Sequence, residues 1–286
     1  EIDQGRSSPK LIDTDWLSNL KKFDRERFDS LKHLNSENRN ELAAIYSFNL
    51  ELANIAWNTS EPELGYLKLR WWENWINDTN RENLFGDNEY LLILSKLVAE
   101  EKLLKSDLLR LIKAREFDCS KKPFANHEQQ IKYIGDTSQN LLFMGLSCLT
   151  EFNDYSLRKN LSEYFGLSLG LARFILAVGS LCQNKCYSLF LPTYSDYSAY
   201  FECKLSDHII ERISCDIDSI FNLIEMGDKK LQNLGLKKKS LFVLNTVRNC
   251  LPILKEIKNS PQLIFRTKHK LSFKHKFIGK INELVT

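Results

Sequence analysis

The stretch FNLELANIAWNTSEPELGYLKLRWW, residues 48–72, holds the end of one helix, a connection and the start of another. Leu42, Ile45, Phe48, Leu52 and Ile55 keep three-and-four spacing, which predicts an amphipathic helix from residue 36 to about residue 58. Ser60 followed by Glu63 reads as a capping box, with Pro62 in the first turn where a missing N–H costs nothing. Glu61 and Glu63 suit the positive end of the helix that follows. Leu64, Leu67, Trp71 and Trp75 are its expected buried stripe, and Trp72 is turned about 100° from Trp71.

The same signals extend outward from this pair. They predict helices over residues 87–103, 106–118, 126–152 (with Gln129 completing a capping pair at Asn126), 156–182 and 206–234. A helix over 238–258 interrupted at Pro252 follows, then a last one opened by Ser260 and Pro261. No segment alternates with period two, and 6 Pro and 11 Gly in 286 residues are too few for a chain of tight β turns. With 43% apolar residues the chain can bury one large core. The expected architecture is an all-α, single-domain bundle over residues 1–286.

The run YFGLSLGLARFILAVGSLC, residues 164–182, has the length and apolarity of a membrane span, but Arg173 at its centre would cost roughly 2.5–3.5 kcal/mol to insert. A buried core helix is expected instead, with Gly166 and Gly170 allowing close helix packing. The sequence opens at Glu1, which suits a processed start, and no signal peptide is read in it. Seven scattered cysteines are expected as reduced thiols in a cytosol-like compartment; Cys182 and Cys186 have no partners at zinc-ligand spacing. The five histidines sit among polar neighbours and are expected on the surface. Asp13 with Asp15, and Asp216 with Asp218, stand two apart and point to different helix faces. There is no Gly-rich phosphate loop, no HExxH and no nucleophile elbow.

The net charge of +3 conceals a division. Residues 229–286 carry 14 Lys or Arg against Glu256 and Glu283, whereas residues 1–228 are acidic on balance. The densest part of this basic helical module, RTKHKLSFKHKFIGK at 266–280, interleaves cations with Leu271, Phe273, Phe277 and Ile278. Phe273 and Phe277, four apart, would share a helix face beside Lys270, Lys274 and Lys276. That pattern suits an anionic membrane surface or a nucleic-acid backbone, or else a solvated helix face laid against the acidic body; a membrane surface or a respiratory-complex subunit is the expected partner, and no nucleic acid is expected.

Four stretches carry a family resemblance: residues 48–72, LIKAREFD at 111–118, the segment from Tyr133 through Thr137 to Leu142, and LGLARFILAVGSLCQNKCYSLFLP at 169–192. In order and spacing they resemble the squalene/phytoene synthase family, the Glu-Pro-x-x-Gly stretch leading into Trp71 and Trp72 being the most specific part. The resemblance implies the isoprenoid synthase fold, with helices around a deep apolar cavity. Phe48, Trp72, Lys68 and Arg173 are expected to face that cavity, Lys68 standing where related sequences often have Arg and Leu50 where an Arg is usual.

Active members carry two Asp-rich motifs on facing helices, because carboxylates four apart share a face and two such faces can hold the Mg²⁺ ions that ionise a diphosphate. Here those positions fall on Ala53 and Trp57, and on Ser180 and Asn184. All four carboxylates are missing, so the resemblance implies no catalytic residue, no metal and no cofactor. FNLELA together with SEP and WW is most similar to a noncatalytic branch of the family, the one containing the mitochondrial complex I assembly factor 6. The leading expectation is therefore an inactive assembly or scaffolding factor for respiratory NADH dehydrogenase, peripheral to the inner membrane. Its location would be cytoplasmic in a bacterium or the mitochondrial matrix in a eukaryote. The alternatives are an active prenyltransferase, which would need Mg²⁺, or an isoprenoid or lipid carrier.

Overall fold

A computed structural model describes residues 16–59, 61–78, 88–232, 234 and 243–267. Every regular element among them is helical. The α-helices are α1 Trp16–Phe23, α2 Arg25–Ser30, α3 Ser36–Ile55, α4 Pro62–Asn77, α5 Glu89–Ala99, α6 Lys105–Ser120, α7 His127–Ile134, α8 Asn140–Ser147, α9 Tyr155–Leu161, α10 Leu167–Gln183, α11 Tyr194–Phe201, α12 Asp207–Leu231 and α13 Leu251–Asn259. A π turn, Gly135–Gln139, joins α7 to α8 without a break, and another, Ser162–Gly166, joins α9 to α10. Short 3-10 turns follow α2, α8 and α13 and precede α13.

Local chemistry sets the helix starts. Asn35 Oδ1 accepts the Asn38 N–H at 2.8 Å to open α3, and Asn126 Oδ1 accepts the Gln129 N–H at 2.8 Å to open α7 while Gln129 Oε1 takes the Ala125 N–H at 2.6 Å. Asp154, Thr193 and Ser206 cap α9, α11 and α12 in the same way. Along α12, Ile209, Ile213, Ile217, Ile220 and Ile224 form one buried stripe on a helix that packs against α10.

The expected stripe of α3 is buried throughout. That of α4 is not. Gly65, Leu69, Trp72, Trp75 and Ile76 are buried, whereas Leu64, Leu67 and Trp71 are exposed. The reason is steric: α4 lies closest to α6, and a Cβ on Gly65 would come within 2.6 Å of the Cys119 sulfur. The face with no side chain is the one that can approach. Ser60 lies outside the described residues, and Glu61 precedes α4 without a side-chain cap.

Gly166 and Gly170 act as close-packing positions. A Cβ at Gly166 would meet the Gln139 backbone at 2.7 Å, and one at Gly170 would meet Ile134 at 2.2 Å, so the α9–α10 run crosses the α7–α8 run here. The run Tyr155–Gln183 is long and apolar enough to cross a membrane; in the fold it packs against α12, α7, α8 and the π turn Gly135–Gln139. Three helices, α1, α2 and α11, went unread in the sequence. The expected helix from Ser260 and Pro261 is a 3-10 turn, Pro261–Phe265. The buried apolar side chains among the described residues form one contiguous core from Trp16 to Ile264.

Candidate functional site

The ends of α1, α3, α6 and α10, with α2 and the first π turn, enclose a cavity of about 730 Å³. Part of its wall is apolar, from Phe117, Phe174, Ala177 and Leu181. Its polar part includes two hydrogen-bonded networks.

In the first, Arg173 on α10 donates from Nη2 to Asp24 Oδ1 at 2.9 Å, and Arg27 on α2 donates from Nη1 to Asp24 Oδ2 at 2.6 Å. Burial pushes the Asp24 carboxyl up, but the two guanidinium groups outweigh it and hold the group well below the usual carboxylate range. In the second, Arg115 on α6 donates to Asp118 at 3.0 Å, to the Tyr133 hydroxyl at 2.8 Å and to Asn49 on α3 at 2.9 Å. The Tyr133 hydroxyl in turn donates to Asp118 Oδ1 at 2.7 Å, and burial raises its pKa. Both interior carboxylates thus have cationic partners already. The remaining carboxylate on the wall, Glu26, lies 3.6 Å from Arg173. Seven cationic side chains line the cavity against these three acids, so its field attracts anions.

Ala53, Trp57 and Asn184 line this cavity, as does Arg173. Ser180 lies one turn before Asn184, but its hydroxyl donates out of the cavity to the Thr267 carbonyl at 3.4 Å. The side-chain amide of Asn184 donates to the Ser180 carbonyl at 2.8 Å. These residues do not fit the magnesium ions that the family motifs imply: Ala53 and Trp57 offer no oxygen donor, and neither Ser180 nor Asn184 supplies negative charge. Among the described residues, no group of three or more His, Cys, Asp or Glu side chains is placed to hold a metal.

Three residues expected at the cavity do not line it. Phe48 and Trp72 are buried against each other, ring centroids 5.2 Å apart and edge to face, in the core between α3 and α4. Lys68 is exposed on α4, where its charge acts on Glu51. The cause is the rotation of α4 set by Gly65, which directs Trp72 into the core. Lys270, Phe273, Lys274, Lys276 and Phe277 lie outside the described residues.

The sequence reading missed Asp24, Arg27, Arg115, Asp118 and Tyr133 as wall residues. For Arg115 and Asp118 the signal was present in LIKAREFD, an Arg and an Asp three apart on one helix face. For Asp24 and Arg27 it was hidden in KKFDRERFDS, whose charge density reads as a solvated surface.

Comparison with known proteins agrees with this geometry. The family model described as squalene/phytoene synthase matches residues 20–194. Among curated proteins, the chain is similar to NADH dehydrogenase (ubiquinone) complex I, assembly factor 6 of Bos taurus, 28% identical over 46% of this chain and 40% of the relative. The Homo sapiens protein of the same name is 27% identical over the same shares, and the Dictyostelium discoideum homolog is 22% identical over 50% and 40%. The matched stretch therefore spans two fifths of the length of these relatives. Among solved structures, a dehydrosqualene synthase in complex with ligand superposes with a TM-score of 0.74 at 15% identity, covering 94% of each chain. A squalene synthase from Alicyclobacillus acidocaldarius gives 0.65 at 17%, covering 86% of this chain and 93% of the other. At those identities the likeness establishes the fold, which is the isoprenoid synthase bundle.

Proposed function

The chain belongs to the squalene/phytoene synthase family, and on that premise we propose that it is a noncatalytic member acting as an assembly or scaffolding factor for respiratory NADH dehydrogenase at the inner membrane. The observation that carries the loss of catalysis is the chemistry of four side chains. By resemblance Ala53, Trp57, Ser180 and Asn184 stand at the Asp-rich positions, and the acids that do reach the cavity, Asp24, Glu26 and Asp118, lie against Arg27, Arg173 and Arg115. Without carboxylates to assemble Mg²⁺, a prenyl diphosphate has nothing to draw off its leaving group. The assembly role is supported by the similarity to curated assembly factors, and the partner it implies is a respiratory-complex subunit.

Incubation with farnesyl or geranylgeranyl diphosphate and Mg²⁺ tests the catalytic half. No diphosphate and no condensed isoprenoid should form; chelator-sensitive turnover would refute the reading. Disruption of the gene in its host, followed by native-gel analysis of the NADH dehydrogenase complex, tests the other half. A fully assembled complex in the absence of this chain would refute it.

A second reading is favoured by the cavity itself. A cavity of about 730 Å³, open at one mouth, with a partly apolar wall and an excess of cations suits an isoprenoid or lipid held without chemistry. Native mass spectrometry of the purified chain, and of a variant with Ala177→Trp filling the wall, would distinguish a carrier from an empty scaffold.

A further inference from the structure

We propose that the mouth of the cavity is itself a membrane-docking surface, taking an anionic lipid bilayer with Phe23 and Trp57 at the headgroup boundary and Lys121, Lys122 and Lys185 against lipid phosphates. This refines the membrane location proposed above: contact is made where the cavity opens and not only through the basic tail.

The rim is built from helix C-termini. Phe23 is the last residue of α1, Trp57 follows the end of α3, Lys121 and Lys122 follow α6, and Lys185 follows α10. All five line the cavity and all five are exposed. The two aromatics are 59% and 54% accessible, so two of the largest apolar side chains in the protein stand in water around one opening. A soluble surface gains nothing from that arrangement.

The cations fit the same partner. Lys121 and Lys185 both have left-handed backbone, φ 50 and 55, in the turns that end α6 and α10, and the two turns meet at the opening, where the Lys121 charge acts on the Cys186 thiol. No carboxylate pairs with Lys121, Lys122 or Lys185 among the described residues. A lysine at a helix C-terminus compensates the helix dipole, which explains each one singly. It does not explain three unpaired lysines and two exposed aromatics on one rim. Arg25 is shared with Asp29 at 2.9 Å, and Glu26 lies 3.6 Å from Arg173, so the unpaired charge on the rim is positive. Lys22 adds to it, its ammonium 4.8 Å over the Phe23 ring. Apolar side chains ringed by cations are what an anionic interface accepts, the rings entering the acyl boundary while the ammonium groups stay with the phosphates.

The test is vesicle co-sedimentation of the full chain with phosphatidylcholine alone and with added phosphatidylserine. Binding should require the anionic lipid and fall as salt rises. Charge reversal of the rim in a K121E/K122E/K185E variant should weaken binding by at least about tenfold, and F23A/W57A should weaken it while leaving the circular dichroism unchanged. A second readout needs no charge change: brominated lipid should quench the emission that W57F removes. Neutralising the tail, K270Q/K274Q/K276Q, should leave this quenching in place. Wild-type binding by both rim variants, equal binding to neutral and anionic vesicles, or no binding to either would overturn the proposal. Loss of binding in the tail variant alone would overturn the rim and leave the assembly reading intact. Turnover of prenyl diphosphates would refute that reading's loss of catalysis without touching the rim.

Discussion

Arg173, inside the long apolar helix α10, donates to Asp24 at 2.9 Å across 149 residues of chain. The pair fastens the connection between α1 and α2 to α10 and closes one wall of the cavity. Arg27 donates to the same carboxylate at 2.6 Å, and Asp24 and Arg27 are almost inaccessible. Asp24→Asn would leave the buried Arg27 without a counter-charge and Arg173 with only the more distant Glu26, and a broken buried pair costs about 3–5 kcal/mol. Chemical denaturation should register that loss, whereas Asp29→Asn, which breaks an exposed pair with Arg25, should stay within about 1 kcal/mol. Because the folded-state pKa of Asp24 is depressed, its contribution is present above the ordinary carboxylate pKa and is lost as pH falls below it. The stability difference between wild type and Asp24→Asn should therefore shrink as pH falls below the ordinary carboxylate pKa.

Trp71 and Trp72 are neighbours with opposite environments, the first 39% accessible and the second 3%. Trp72 meets Phe48, Trp71 and Trp75 edge to face at 5.2, 4.9 and 5.7 Å. Trp72→Ala should cost roughly 3–5 kcal/mol, and Trp71→Ala should cost well under half as much. Equal losses by thermal or urea denaturation would mean that α4 is rotated from the position described.

How much of this was legible depended on whether a residue's neighbour was local. The stripe of α3 was legible because one apolar face points one way, and the caps at Asn126 and Ser206 were legible because donor and acceptor lie three residues apart. The rotation of α4 was not, since Leu64, Leu67, Trp71 and Trp75 make as regular a stripe as Gly65, Leu69, Trp72 and Ile76. The contact of Gly65 with Cys119, some fifty residues away, decides between them. Within the site, Ala53, Trp57 and Asn184 are singled out by resemblance, and they line the cavity. The pairing of Asp24 with Arg173 is a property of the tertiary fold, and no spacing in the chain announces it.

Gly179 marks where the chain returns to cover α10. A Cβ there would stand 2.5 Å from the carbonyl oxygens of Phe265 and Arg266, and backbone atoms cannot yield as a side chain can. Gly179→Ala should detach the 3-10 turn Pro261–Phe265, lowering stability by about 1–3 kcal/mol and exposing the chain near Arg266 to trypsin. Gly135→Ala is the control. Its nearest neighbour would be the flexible end of Gln139 at 3.5 Å and its backbone is already helical, so that change should be neutral or stabilising by about 0.4–1 kcal/mol.

Asp216 supplies the pH test of the core. Arg212 donates to its Oδ1 at 2.6 Å, but Oδ2 is buried without a hydrogen-bond partner. Burial outweighs the arginine and pushes the carboxyl up to about 6. The folded state therefore holds this proton more tightly than the unfolded chain. The group's contribution is most favourable below about pH 4, where both states are protonated, and becomes a penalty as pH rises through about 6. Taken alone, that shift from the ordinary aspartate pKa is worth about 3 kcal/mol. Asparagine mimics the protonated form but weakens the bond from Arg212, which as a charge-assisted contact is worth about 1.5–3 kcal/mol. Asp216→Asn should accordingly gain on the wild type as pH rises, by about 2–3 kcal/mol between pH 4 and pH 8, whatever the sign of the difference at either end. Urea denaturation of both proteins across that range measures the gap, and a gap independent of pH would show that Asp216 is ionised in the folded protein throughout.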